Sequence, residues 1–130
     1  DKNGNVLGKH NGLINYTIGQ RKGLGIALGK PAYVIDINTK NNTVTLGENE
    51  DLFKDHLDVY NYNFIDDEFD YENTILSAKI RYTAKEENVK LEKKENYIHV
   101  RFENPVRAIA RGQSIVFYKD NTLVGGGIIN

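Results

Sequence analysis

Downstream of residue 74, apolar side chains recur at every second position in one short run after another, and this two-residue period restricts the fold more than any other feature of the chain. Successive residues of a strand face opposite ways, so each run predicts a strand with one core face. Residues 74–82 place Leu76, Ala78, Ile80 and Tyr82 on one side and Ser77, Lys79 and Arg81 on the other. Residues 89–93 and 97–102 repeat the pattern around a Lys/Glu/Asn turn, with Ile98, Val100 and Phe102 inward and His99 and Arg101 outward. Pro105 cannot donate to a ladder and is predicted to end that strand. Residues 106–110, 114–118 and 123–129 give three more runs, the last holding Gly125-Gly126-Gly127, which weakens a strand and so predicts close backbone approach or a sharp bend. Short strands at this spacing, with no helical period, predict an all-β protein of two small lobes, the second a six- to seven-stranded β-barrel over residues 61–130.

The first lobe, residues 1–60, is organised around Gly19-Gln20-Arg21-Lys22-Gly23-Leu24-Gly25. Residues 12–17 predict a strand leading into this loop, and residues 31–38 a second strand with Tyr33, Ile35 and Ile37 on one face. Residues 39–42 turn the chain, because Asn tolerates left-handed backbone, and 43–46 return as the other arm of a hairpin. Residues 51–57 predict one helical turn and 59–64 a strand with Tyr60, Tyr62 and Phe64 alternating. Three glycines around Gln20, Arg21 and Lys22 describe a shaped loop, and its guanidinium, ammonium and carboxamide suit a phosphate or a base edge. A solvated hairpin tip is the competing reading of the same residues.

Charge divides the chain in three. Residues 1–47 hold six Lys/Arg against two Asp/Glu, residues 48–72 one against ten, and residues 73–130 ten against six. Two basic flanks around an acidic middle let both flanks face a polyanion, with the middle expected to be a solvated connector near the boundary between the lobes. The chain has no Cys, which excludes disulfides, thiolate metal sites and cysteine nucleophiles within it. No apolar stretch approaches the roughly 18 residues of a membrane span. With no Met at its start, the chain is expected to be an excised C-terminal portion of a longer cytoplasmic, monomeric protein.

Several chemistries fail on spacing. A phosphate-binding P-loop on Gly29-Lys30 would need Gly at Leu24 and Ser or Thr at Pro31, and a dinucleotide fingerprint from Gly23 would need a small residue at Leu28. The acidic run from Asp66 resembles a calcium loop but has Tyr71 where Gly belongs and Ser77 where Glu belongs. His10, His56 and His99 lie far apart without Cys partners, and Ser77 and Ser114 lack a nucleophile motif. No catalytic residue, metal ligand or cofactor site is expected in these residues.

Residues 8–26, Gly-Lys-His-Asn-Gly-Leu-Ile-Asn-Tyr-Thr-Ile-Gly-Gln-Arg-Lys-Gly-Leu-Gly-Ile, resemble the middle-domain signature of the bacterial tRNA-specific 2-thiouridylases. Downstream, Ala78-Lys79-Ile80-Arg81-Tyr82, residues 102–108, Gly112-Gln113, Val116-Phe117-Tyr118 and Gly125-Gly126-Gly127-Ile128-Ile129 resemble the C-terminal domain of that family, in order. The resemblance implies an enzyme whose ATP-pyrophosphatase domain, with magnesium, adenylates the wobble uridine and whose two cysteines, fed by a persulfide carrier, deliver sulfur. That domain and those cysteines would lie upstream. It implies tRNA contacts at Arg81, Tyr82 and Gln113, and raises an RNA or catalytic-cleft role for Gln20, Arg21 and Lys22. Arg111 stands where the family has proline, which puts the rigidity of that turn in question while adding a cation. The outward position of Arg81 agrees with a phosphate contact. Tyr82 falls in the inward class, so a core tyrosine and a base-stacking tyrosine both stand. A translation-factor-like β-barrel acting alone in RNA binding, and a docking domain for a sulfur-carrier protein, are the alternatives.

Overall fold

The computed structural model describes residues 1–80 and 85–130, and the chain divides into two compact units. The first comprises residues 1–53 with 107–109, the second residues 54–106 with 110–130. The architecture is all-β, as the alternation predicts: a two-stranded sheet and a closed six-stranded barrel.

In the first unit β1 (Tyr33–Asn38) and β2 (Thr43–Gly47) form an antiparallel hairpin. Its turn closes where the Asn38 side chain accepts from the Lys40 and Asn41 amides at 2.9 and 3.1 Å and Asn42 takes φ 54°. The buried residue of β1 is Val34, fully inaccessible to solvent, and not the predicted Tyr33, Ile35 and Ile37 face. The ladder slips between Val34 and Asp36, which breaks the simple alternation, and Ile35 lies over Gly47, where a Cβ would come within 2.8 Å of its Cδ1. The strand predicted over 12–17 is a 3-10 turn, Leu13–Asn15. Gly12 at φ 119° turns the backbone, and its carbonyl takes the Asn15 amide at 3.1 Å while the Asn15 side chain donates to the Asn11 carbonyl at 3.0 Å. These local bonds outcompete an extended path that has no ladder partner. The helical turn predicted over 51–57 is shorter and earlier, a 3-10 turn at Asn49–Leu52 closed by the Asp51 amide on the Glu48 carbonyl.

The barrel runs β3-β6-β5-β4-β7-β8, built from β3 (Phe53–Phe64), β4 (Leu76–Lys79), β5 (Glu87–Lys93), β6 (Ile98–Arg107), β7 (Ser114–Lys119) and β8 (Thr122–Ile129). Leu76, Ala78, Ile80, Val89, Leu91, Ile98, Val100 and Phe102 are buried, as the period demands. On β3 the period changes phase: Leu57 and Val59 are inward, Asn61 takes φ 50° where the β3–β8 register shifts, and Phe64 is the next inward residue. Tyr60 therefore belongs to the opposite face from Phe64. Pro105 does not end β6. The β5–β6 ladder covers Ile98 to Phe102, so Pro105 lies beyond it and owes β5 no donor.

The triple glycine of β8 is a space requirement. A Cβ on Gly125 would stand 2.6 Å from the Asn63 carbonyl oxygen, one on Gly126 2.6 Å from that of Ile115, and one on Gly127 would overlap Val59 Cγ1. The acidic stretch is also more than a connector. Tyr71 stacks on Phe64 at 4.3 Å and 2° between planes, and Phe64 stacks in turn on the buried Phe117 at 6.0 Å. Its carboxylates face outward and tie the loop: Asp70 accepts from Asn73, and Glu72 accepts from the Lys93 amide at 3.1 Å.

Candidate nucleic-acid interface

The Gln20-Arg21-Lys22 loop is fixed by its own backbone. The Gly19 amide donates to the Val34 carbonyl at 2.8 Å and the Val34 amide to the Gln20 carbonyl at 2.9 Å, so the loop's base is pinned to β1. Gly19 and Gly23 take φ 90° and 74°, which reverses the chain on either side. Gln20 does not point out as a donor. Its Oε1 accepts from the Thr17 amide at 3.0 Å and its Nε2 donates to the Lys22 carbonyl at 2.8 Å, so the side chain clasps the loop from within. Arg21 and Lys22 are exposed, and their side chains make no hydrogen bond or ion pair with another described residue. The result is a stiff turn presenting two cations whose charge is not neutralised within the unit, an arrangement suited to phosphate oxygens.

Gln113 lies in the second unit, in a tight turn. Gly112, at φ 85°, donates to the Ile129 carbonyl at 2.7 Å, and the Ile129 amide donates back to the Gln113 carbonyl at 2.9 Å. The Gln113 side-chain Oε1 is buried and has no hydrogen-bond partner among the described residues. Such an acceptor costs about 1–3 kcal/mol unless something supplies a donor. Arg111, where the family has proline, is exposed at the start of the same turn. Arg81 and Tyr82 lie outside the described residues. Of the residues singled out, the structure thus groups Gln20, Arg21 and Lys22 in one turn and sets Gln113 in its own.

Two features were hidden from sequence reasoning. Arg107 belongs to the first unit, where its guanidinium lies 5.7 Å from the Tyr33 ring centre and its Nε donates to Asn49 Oδ1 at 3.1 Å. A Cβ on Gly19 would approach an Arg107 guanidinium nitrogen to 3.6 Å, so this arginine backs the Gly19 loop. Its position in Asn104-Pro105-Val106-Arg107 was visible, but no local pattern ties it to a loop 88 residues away in the chain. The histidines make contacts that the sequence does not reveal. His10 Nδ1 accepts from the Gly12 amide at 3.0 Å, which leaves Nε2 as the donor to the Asn42 carbonyl at 2.8 Å. His56 and His99 come together, ring centres 5.8 Å apart, each held by an aspartate: Asp55 at 2.9 Å and Asp58 at 2.8 Å. The His56 contact holds the Asp55 carboxyl below its usual range. No group of three or more His, Cys, Asp or Glu among the described residues is placed to hold a metal ion.

Two family comparisons cover nearly the whole chain. Residues 1–48 match the tRNA methyl transferase PRC-barrel domain and residues 54–129 the aminomethyltransferase beta-barrel domain. Among curated relatives, the tRNA-specific 2-thiouridylase MnmA 1 of Clostridium tetani is 56% identical over 130 residues, covering 99% of this chain and 36% of that protein. A Clostridium botulinum counterpart is 54% identical, covering 99% of this chain and 37% of its own length. The Acetivibrio thermocellus protein is 50% identical with the same 99% coverage of this chain and 36% of its own. The chain therefore spans little more than a third of the length of the curated relatives it matches.

Proposed function

Because this chain belongs to the tRNA-specific 2-thiouridylase family, we propose that it is the C-terminal portion of such an enzyme and helps to grip tRNA while the wobble uridine is thiolated. ATP with magnesium, the adenylating domain and the cysteines that take sulfur from a persulfide carrier belong to the remaining two thirds of the protein. The chemistry takes place in the cytoplasm, on a monomer. This chain contributes contacts. Arg81 binds a backbone phosphate, Tyr82 lies beside it against a base, and Gln113 makes a polar contact from its turn. Arg21 and Lys22 meet phosphate from the first unit, with Gln20 holding their loop in shape. The boundary between the middle and C-terminal domains falls along the acidic stretch that begins at Glu48.

The observation that carries this reading is the pairing of two in-register family matches with a backbone-pinned turn whose two exposed cations have no partner within their unit.

Titration of labelled tRNA against the full-length protein at several salt concentrations tests it. Arg81→Ala is expected to weaken binding about ten-fold or more, since a charged hydrogen bond is worth about 1.5–3 kcal/mol. The same change should lower the slope of log affinity against log salt by about 1. Gln113→Ala should weaken binding with no change in slope, and neither change should affect ATP binding. Wild-type affinity and slope in folded Arg81→Ala protein would remove that residue from the interface. Binding to a protein partner that tRNA does not displace would point to a sulfur-carrier docking domain instead.

A further inference from the structure

The first unit has two hollows with a common wall. One, of about 530 Å³, is lined by Val6, Leu7, Tyr16, Val44 and Leu46 with Lys9. The other, of about 490 Å³, is lined by Arg21, Lys30 and Pro31. Leu24 and Ile26 line both, so residues 23–26 form a rib between a hollow of mixed lining, where Tyr16 and the apolar side chains face Asp1, Asn5 and Thr43, and a largely apolar one that holds the Arg21 and Lys30 cations. Gly25 sits on the rib at φ 72°, and a Cβ there would meet nothing within 4 Å, so its crest is open to a close approach. In the second hollow Lys30 is engaged by Glu48 at 3.2 Å, whereas the Arg21 side chain has no partner among the described residues. In the first, Tyr16 meets the edge of His10 at 6.0 Å and 79°, and both His10 ring nitrogens are committed to backbone groups, so the tyrosine is held in place before any ligand arrives.

We propose that this rib is a binding site for a single unpaired nucleotide, the base lying in the hollow beside Tyr16 and Leu24 and the phosphate held by Arg21 across the rib. A nucleotide needs a flat apolar or aromatic surface for the base and an uncommitted cation for the phosphate, and here the two stand on either side of one glycine-containing segment. The hollow has the size of an ordinary small-ligand site. A solely apolar occupant would leave Arg21 unused, and a bare phosphate would leave the Tyr16 hollow unused. The inference deepens the proposed function by naming an extruded nucleotide of the tRNA as the occupant, and it rests on that reading for the identity of the RNA.

The test is an amide-resonance titration of the 15N-labelled chain with uridine 5′-monophosphate and, separately, ribose 5-phosphate. The nucleotide is expected to move Tyr16, Leu24, Ile26 and Arg21, and ribose 5-phosphate Arg21 without Tyr16. Tyr16→Leu should weaken the nucleotide about ten-fold and leave ribose 5-phosphate unchanged, as expected for loss of base stacking. Since Tyr16 also packs on His10, Leu24→Ala provides a second variant with the same expected discrimination. Identical response patterns for the two ligands, or no response in the rib, overturn the inference. A third titration, with tRNA, separates the two readings. Shifts elsewhere with a silent rib overturn the nucleotide site and leave the tRNA role standing, whereas nucleotide binding at the rib together with a full-length protein that binds no tRNA overturns the tRNA role alone.

Discussion

The two units are stabilised by different means. In the barrel, large side chains fill a closed sheet: Phe117, Leu76, Ile98, Ile115, Val59 and Val100 are almost wholly removed from water. In the first unit the buried apolar residues among those described are Val34, Leu46, Leu52 and Ala108. Polar ties replace the missing core. Gln20 clasps its loop, His10 spans two backbone groups, and the Asp51 carboxylate closes the turn after β2. A barrel gains most from area buried, at about 25 cal/mol per Å², while each hydrogen bond returns about 0.5–1.5 kcal/mol net. The first unit is thus specified by conformation more than by packing, and it is there that cations can be displayed on a stiff loop.

The comparison breaks first on core truncation. Phe117→Ala is expected to cost about 3–5 kcal/mol in urea denaturation, because a buried ring leaves both a cavity and an unstacked Phe64. Val34→Ala, in the first unit, should cost about 1–3 kcal/mol. Equal losses would show that both units depend on packing alike.

Glycine substitutions sharpen the contrast at the next level. Gly126→Asn should destabilise the barrel by about 1–3 kcal/mol or more, since its Cβ must displace the Ile115 carbonyl. Gly25→Asn should cost less than Gly126→Asn, because the space around it is open and the strain is confined to the backbone at φ 72°, which asparagine tolerates better than other side chains. Thermal melts of the two variants give the order directly.

Much of the barrel was legible because alternation is a local signal that burial on one face imposes on every strand, as on β4 to β6. The departures came from residues whose conformation depends on distant neighbours. Asn61 and Ala108 take positive φ without being glycine, so neither the change of face along β3 nor the end of β6 could be read from type. The glycine run of β8 was legible as a close approach, but not what approached. For the candidate site, the exposed Arg21 and Lys22 were readable from the Gly bracket, whereas Gln20 was read as a donor to ligand although both ends of its amide are spent on backbone groups two and three residues away. Arg107 reaches the same loop from the far end of the sequence, and no spacing rule encodes that.

Gln20→Ala separates clasp from contact. Loss of two side-chain bonds to the backbone should lower stability by about 1–2 kcal/mol. Weaker tRNA binding in the full-length protein should follow with no change in salt slope, because no charge is lost. Weaker binding with unchanged stability would instead make Gln20 a direct contact.

The smallest effect expected is one of pH. The Asp51 carboxyl is held below its usual range first by the hydrogen bond it accepts from the Glu48 amide, 2.8 Å, and then by Lys2, whose ammonium is 3.2 Å from both of its oxygens. Its folded state binds a proton less readily than its unfolded state, so the group favours folding at pH values above its ordinary range, near 3.8. That contribution disappears as pH falls from there through the lower folded value, where the carboxyl protonates and loses its hold on both donors. Asp51→Asn should therefore lower the melting temperature slightly at pH 7 and converge on the wild type in acid, flattening the curve below about pH 4. The group is open to solvent and the Lys2 part is screened by salt, so the difference at pH 7 should shrink in 0.5 M salt without vanishing, the Glu48 bond being short-ranged. A difference that vanishes entirely in salt would assign the whole effect to Lys2, and one that persists undiminished at pH 3 would deny the carboxylate any role in closing the turn.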